Sequence, residues 1–162
     1  MAWGIQVEGM DQLFSAMEKL PEKARKVAAE ALYEGAGVVA DKVSSAVHGI
    51  ATKRFKYPAP PGKQRMPSPE EKALLESAKH GIAKFRNNGL SVQTSVGYQN
   101  AGYGTINGKT KPIPQIANAI NSGTSFMKKQ PFMRKAFSQS KGAATAAIES
   151  GIQSRLDELS LD

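Results

Sequence analysis

The chain has 162 residues, 40% of them hydrophobic, which is enough for one domain of ordinary size. Lysine and arginine number 22 against 14 aspartates and glutamates, so the net charge is +8. The absence of cysteine excludes disulfides, thiolate metal sites and cysteine nucleophiles. His48 and His80 lie far apart in sequence, and no apolar run approaches the ~20 residues that span a bilayer. With no secretory signal at residues 1–8, we expect a protein of a reducing compartment, without a metal site or membrane contact.

The N-terminal part of the chain predicts one short strand and two helices. Residues 3–7 alternate apolar and polar, as a strand with one buried face does, and residues 11–20 suit a short helix. After Pro21, small apolar residues recur at three- and four-residue spacing, which predicts a helix of nearly thirty residues, about 40 Å long. Gly35 and Gly37 each cost about 1 kcal/mol relative to alanine in a helix. We therefore expect a bend there, or a close contact where no side chain fits.

Residues 51–68 predict a long loop, because four prolines forbid a helix and no apolar periodicity is present. A loop of this length in a small domain is either functional or disordered. Basic residues interleaved with aromatic ones are typical of a nucleic-acid contact, and equally of an arm that lies across a neighbouring subunit. The residues concerned are Lys53, Arg54, Phe55, Lys56, Tyr57, Lys63 and Arg65.

The next segment predicts a helix and a hairpin. Ser68 can cap a helix that begins with Pro69 and two glutamates and runs to about Ala78. Residues 82–86 and 90–97 are then strand-like and flank Asn-Asn-Gly, a strong hairpin signal.

The last part of the chain predicts a second long polar loop at residues 99–114, a short helix at 115–121 ended by Gly123, and a final helix opened by Pro131. The fold class predicted is α+β: one domain over residues 1–162, with a small antiparallel or mixed sheet. A long N-terminal helix and a C-terminal helix flank that sheet, and the two long loops complete the domain.

The charge is distributed unevenly along the sequence. No carboxylate side chain occurs between Glu76 and Glu149, although ten lysines and arginines fall there. This stretch cannot supply paired carboxylates for acid–base catalysis or a hard-metal site. Its surface suits phosphates or an acidic partner, or is simply a solvated basic face. The chain also lacks a phosphate-binding loop, a dinucleotide fingerprint and a nucleophile elbow, so we expect neither enzymatic activity nor a cofactor.

Two stretches carry a resemblance to a known family. One reads Val-Glu-Gly-Met-Asp-Gln-Leu at 7–13, then Leu-Pro-Glu-Lys-Ala at 20–24 and a small-residue helix to Ala36. The other runs from Ile-Ala-Asn at 116–118 through Gly-Thr-Ser at 123–125 to Pro-Phe-Met-Arg-Lys-Ala at 131–136. Together they resemble the gene-product-ten-like tail components of long-tailed bacteriophages, which are similar in role to the minor tail protein Z of lambda. Ser122 and Lys135 stand where that family often has glutamate and proline.

The resemblance implies a structural virion protein of the phage neck, made in the host cytoplasm and similar in architecture to tail terminators. It implies head–tail joining or tail completion by a ring of about six copies, in contact with the tail tube or terminator and the head-completion proteins. The alternative is a basic, non-enzymatic nucleic-acid-binding protein, and non-specific contact with DNA in the neck channel fits both readings. Besides the basic and aromatic residues of the first loop, the expected contact residues are Tyr103, Lys109, Lys111, Phe132 and Arg134. Phe132 could equally fill the core.

Overall fold

A computed structural model describes residues 22–54, 62–78, 81–82, 86–87 and 92–159. The strand predicted at 3–7 and the helix predicted at 11–20 lie outside these residues. The helices are α1 (Glu22–His48), α2 (Pro69–Ser77), α3 (Ile113–Ser122) and α4 (Phe132–Leu159). The strands are β1 (Gly81–Ile82), β2 (Arg86–Asn87), β3 (Val92–Gln93), β4 (Val96–Gly97), β5 (Tyr103–Ile106) and β6 (Lys109–Pro112).

These elements confirm the α+β class and both long flanking helices. Helix α1 has 27 residues and α4 has 28. The strands described pair two by two, β1 with β4, β2 with β3, and β5 with β6. None of the helices described is both long enough and apolar enough to cross a membrane.

Two of the described strands, β2 and β3, pair with each other, as the hairpin predicted around Asn88-Gly89 requires. Strands β2 and β3 are antiparallel, and Asn87 pairs with Val92. Asn87, which the sequence assigns to the turn, therefore lies in a strand.

The prediction of an irregular loop over 99–114 is wrong, because this segment contains a second hairpin. Strands β5 and β6 pair antiparallel from Tyr103 opposite Pro112 to Ile106 opposite Lys109. Only Asn107 and Gly108 connect them, with φ of 51° and 74°. Two positive φ values in a two-residue connection define the type I′ turn that Asn-Gly favours.

The described residues fall into two compact units. Unit 1 takes in residues up to Ala40, Ile82–Val96 and the chain from Ser140 onward. In it, the first part of α1 packs antiparallel against the second part of α4, because Ala31 lies beside Gly151 and Gly35 beside Ile148. The buried apolar residues of this unit are Val27, Ala28, Ala31, Leu32, Ala36, Val39, Val96, Ala144, Ile148 and Ile152.

The small residues of unit 1 allow its two helices to approach closely. A Cβ on Gly35 would lie 2.7 Å from Ile148 Cδ1 and 3.0 Å from the Ala144 carbonyl oxygen. The sequence prediction of a close contact or a bend is thus resolved as a contact at Gly35. Gly37, by contrast, has nothing within 4 Å of its Cβ position.

Charged side chains border this helix pair. Arg155 Nε donates to Glu30 Oε2 at 2.9 Å, and Arg155 Nη2 donates to Glu34 Oε1 at 2.6 Å. The hydrogen bond to Glu34 is the main cause that raises the pKa of Arg155, with the charges of both glutamates adding to it.

Unit 2 takes in Asp41–Gly81 and Gly97–Gln139. The ring of Tyr98, 3% exposed, meets Phe132 edge-to-face at 6.5 Å between centroids. Burial raises the pKa of Tyr98 to about 12. The other large buried apolar residues of this unit include Val43, Val47, Ile50, Leu75, Ile113, Ile116, Ile120 and Met127.

Candidate functional site

The candidate site is built around the segment that links α3 to α4, which we call the linking segment (residues 123–131). Gly123 ends α3 at φ 78°, and its N–H donates to the Ala119 carbonyl at 2.9 Å. A Cβ on Gly123 would come within 2.9 Å of Lys129 Cβ, so both its φ and its space require glycine. The glycine thereby turns the chain sharply out of the helix.

Thr124 then folds the linking segment into a turn. Its hydroxyl Oγ1 accepts hydrogen bonds from the backbone N–H of Met127 at 3.0 Å and of Phe126 at 3.3 Å. Its own N–H donates to the Met127 carbonyl at 3.0 Å. This turn buries Met127, 2% exposed, and leaves Phe126 51% exposed.

Two amide side chains fix the far end of the linking segment. Gln130 Nε2 donates to the Ala51 carbonyl at 2.7 Å, and Gln130 Oε1 accepts from the Ala51 N–H at 2.9 Å. Asn121, 2% exposed, accepts the N–H of Met133 at 3.1 Å through Oδ1. Asn121 thus serves the N-terminal turn of α4, where backbone donors have no partner within the helix.

Arg65 joins the linking segment to the start of α2. Its backbone forms a parallel bridge at Met127: its N–H donates to the Phe126 carbonyl and its carbonyl accepts from Lys128, both at 2.8 Å. Its guanidinium grips the Glu71 carboxylate with two bonds of 2.7 Å. Arg65 therefore ties the backbone that carries Phe126 to helix α2.

Glu71 is held from a second side by the cap of α2. Its Oε2 accepts the Ser68 N–H at 2.8 Å, and the Ser68 hydroxyl accepts the Glu71 N–H at 3.2 Å. This reciprocal capping box confirms the predicted helix start. With Arg65 on both oxygens and Ser68 on one, the acceptors of the Glu71 carboxylate are largely used within the fold.

A cavity of about 300 Å³ opens beside the linking segment. Its lining includes the buried side chains of Glu71, Ile116 and Met127, and the half-buried Arg65. The exposed residues that line it are Lys111, Gln115, Asn118 and Phe126. The cavity, which we call the Phe126 pocket, thus joins an apolar wall to amide and cationic groups.

The structure distributes the predicted contact residues unevenly. Lys53, Arg54, Lys63, Tyr103, Lys109, Lys111 and Arg134 are exposed, and Tyr103 is the most open of the large hydrophobic side chains described, at 73%. Of these seven, Lys111 lines the pocket. Phe55, Lys56 and Tyr57 lie outside the described residues.

Two predicted contact residues have roles inside the fold. Arg65 holds Glu71 rather than offering an unpaired cation to a partner. Phe132 is 5% exposed and packs on Tyr98, so its ring belongs to the core, the second of the two alternatives open for it. Hydrogen bonds from the Glu70 N–H and the Ser68 hydroxyl lower the pKa of the Glu70 carboxyl, and the nearby charge of Arg54 lowers it further.

Charge separates by unit, as it does along the sequence. Unit 2 carries 14 lysines and arginines against four acidic residues, a net charge of +10. Unit 1 carries eight against ten, a net charge of −2. Two of the four carboxylates in unit 2 are paired within the fold: Glu71 with Arg65, and Glu76 with Lys72 and, through a hydrogen bond, with His48.

Sequence reasoning missed most of the pocket: Gln115, Asn118 and Phe126 were not singled out, and Glu71 was seen only as part of a helix start. Gly123 predicts the end of the short helix, but nothing local in the sequence indicates that Phe126 is left exposed. In comparisons with known proteins, no family model, no curated protein and no solved structure matches the chain.

Proposed function

We propose that this protein is a structural component of a bacteriophage neck that completes the tail or joins it to the head, working as a ring of about six copies. The observation that carries the proposal is the resemblance of residues 116–136 to the gene-product-ten-like tail components. In this chain those residues comprise most of α3, the linking segment and the start of α4, held together by Thr124, Gln130 and Asn121.

The charge separation supports a ring. Subunits in a ring make head-to-tail contacts between two different surfaces, which must be complementary. A unit with a net charge of +10 and a unit with a net charge of −2 in one chain supply surfaces of opposite sign. In the proposed neck, the exposed cations of unit 2 face neighbouring subunits, the tail terminator or tube, or the head-completion proteins.

The second candidate function is non-specific nucleic-acid binding, favoured by the carboxylate-free stretch and its exposed lysines. It predicts an affinity that falls steeply with salt, because binding to phosphates releases counterions. A neck protein whose lysines line the DNA channel would share this property, so DNA binding alone does not separate the two candidates.

The test is the molar mass in solution, measured by light scattering on the protein alone and mixed with the cognate tail-tube or terminator protein. A ring in either sample supports the proposal. A monomer that ignores both partners and binds duplex DNA at low salt overturns it in favour of nucleic-acid binding.

A variant tests the role of the first loop. Replacing Lys53, Arg54 and Lys56 together by serine is expected to impair assembly and leave the fold intact. The matched control replaces Lys26, Lys42 and Lys141, three exposed cations on α1 and α4, with the same change of net charge. If the loop variant joins heads to tails as the control does, the loop is not an assembly arm.

A further inference from the structure

The Phe126 pocket has a surplus positive charge. Among the residues that the structure describes, Lys111 has no ion pair or hydrogen-bonding partner for its ammonium group. Of the described residues that line the pocket, Glu71 alone carries a carboxylate, and Arg65 neutralises it through two hydrogen bonds. A ligand that brings a carboxylate to Lys111 would therefore meet no competing acid.

The same pocket has an apolar wall that is half open to solvent. Phe126 is 51% exposed, while Ile116 and Met127 behind it are buried. The Arg65 N–H and the Thr124 hydroxyl bind the backbone of Phe126, so little backbone entropy remains to be lost when the ring is covered. An exposed aromatic side chain on a fixed backbone is typical of a protein–protein contact.

The remaining lining groups suit a peptide. Gln115 and Asn118 carry amide donors and acceptors of the kind that bind a peptide backbone. A volume of about 300 Å³ is at the small end of ligand pockets and fits side chains better than a large cofactor. A nucleic-acid backbone is disfavoured here, because its regularly spaced phosphates would meet only one unpaired cation, Lys111, among the described residues that line the pocket.

From these three features we propose that the Phe126 pocket docks an acidic segment of a partner protein, which places a carboxylate at Lys111 and an apolar side chain against Phe126. The pocket chemistry stands without the neck assignment; that the partner is another neck protein rests on the proposed function.

The test uses the isolated full-length protein, labelled with ¹⁵N, and a blocked peptide, acetyl-Glu-Leu-Glu-Leu-Glu-Leu-amide. We expect amide shifts confined to the surroundings of Lys111, Asn118 and Phe126, with a dissociation constant of about 1 mM or tighter. The counterpart peptide, with glutamine in place of each glutamate, should bind more weakly by up to about fivefold, as the loss of one exposed ion pair predicts.

Matched variants locate the contacts. Lys111→Gln should weaken binding of the acidic peptide by up to about fivefold, and Phe126→Ala by about fivefold, the change that corresponds to 1 kcal/mol. The controls Lys128→Gln and Tyr103→Ala change an exposed cation and an exposed aromatic residue outside the pocket, and should bind as the unchanged protein does. All four substitutions are at exposed positions, so we expect the fold to be kept. The amide spectrum of each variant checks this.

Several results would overturn the proposal. These are no shifts with the peptide at millimolar concentration, equal binding of the glutamine counterpart, shifts outside the pocket, or a short DNA duplex that shifts the pocket amides when the peptide does not. Because the measurement needs no assembly, its failure leaves the light-scattering test of the neck proposal unaffected.

Discussion

The contrast between two glycines of α1 gives the sharpest test of the packing. In Gly35→Ala, the new methyl group would lie 2.7 Å from Ile148 Cδ1 and 3.0 Å from the carbonyl oxygen of Ala144. The isoleucine can change rotamer, but the backbone oxygen belongs to α4 and moves only with that helix. Overpacking of this kind costs about 1–3 kcal/mol, against about 1 kcal/mol gained from the helix propensity of alanine. We expect a net loss of up to about 2 kcal/mol of unfolding free energy.

Gly37→Ala is the matched control, because the same substitution two residues later meets nothing within 4 Å. It should gain up to about 1 kcal/mol from helix propensity alone. The two variants should therefore differ by about 1–3 kcal/mol, which for a chain of this size is a difference of several degrees in Tm. Urea and thermal unfolding followed by far-UV circular dichroism measure both.

A double variant identifies the contact responsible. Ile148→Ala removes the side-chain atoms that oppose the new methyl group and leaves the Ala144 carbonyl oxygen in place, so Gly35→Ala should cost less unfolding free energy in that background than in the unchanged chain. If Gly35→Ala is as stable as Gly37→Ala, the close contact does not limit the distance between the two helices. If its cost is the same with and without the Ile148 side chain, the Ala144 carbonyl oxygen is the contact responsible.

Three further predictions concern unit 2. Glu71→Ala should lower the free energy of unfolding by about 3 kcal/mol, because it removes half of a capping box and leaves the half-buried Arg65 unpaired. Glu70→Ala, at the neighbouring exposed position, should lower it much less. Denaturant unfolding of the two variants measures the difference. Tyr98 has a pKa of about 12 in the folded protein and about 10 in the unfolded chain. Its contribution to the free energy of unfolding is therefore complete below pH 10 and falls by about 2–3 kcal/mol as the pH rises through 12. Tyr98→Phe should lose less stability over that range, and parallel curves for the two proteins would contradict the assignment. Gly108→Ala should lower the free energy of unfolding by about 1 kcal/mol, because alanine is strained at a φ of 74°. An unchanged free energy of unfolding would mean that the turn takes another type in the variant.

Structural features that depend only on residues close together in the sequence could be predicted. Ser68 and Glu71 are three residues apart and satisfy each other, so the start of α2 needs no distant partner. The long helix α1 follows from its apolar spacing in the same way. At Gly35 the sequence offered a bend or a contact, and the choice depends on Ile148, more than a hundred residues further on.

The second hairpin, β5 with β6, could not be predicted because its strands lack the usual sequence pattern. Asn107-Gly108 favours a type I′ turn, but the flanking strands carry few apolar residues, and both Lys109 and Lys111 are exposed. Alternation of apolar and polar residues, the main sign of a strand, is thus missing from β6. Gly104 is buried against Leu74 instead, where a Cβ would come within 2.6 Å of Leu74 Cδ1. A glycine in contact with a distant leucine leaves no periodic trace in the sequence.

The Phe126 pocket could not be predicted for a related reason. Its lining comes from four places in the chain: Arg65, Glu71, Lys111 with α3, and the linking segment. No spacing rule connects these places. The resemblance to a phage tail family drew attention to Gly123 and Thr124, but the role of Arg65 in fixing Phe126 appears only in three dimensions.

The antiparallel pairing of Ala31 with Gly151 has a consequence for synthesis of the chain. These residues are about 120 positions apart, so the first part of α1 has left the ribosome long before its packing partner is made. Unit 1 can close only when translation has passed Ile152, and its core cannot serve as the folding nucleus of the emerging chain. A truncated mRNA that ends after the codon for residue 139 would yield a chain in which the small apolar residues of α1 have no packing partner from α4. We expect cellular proteases to degrade such a chain.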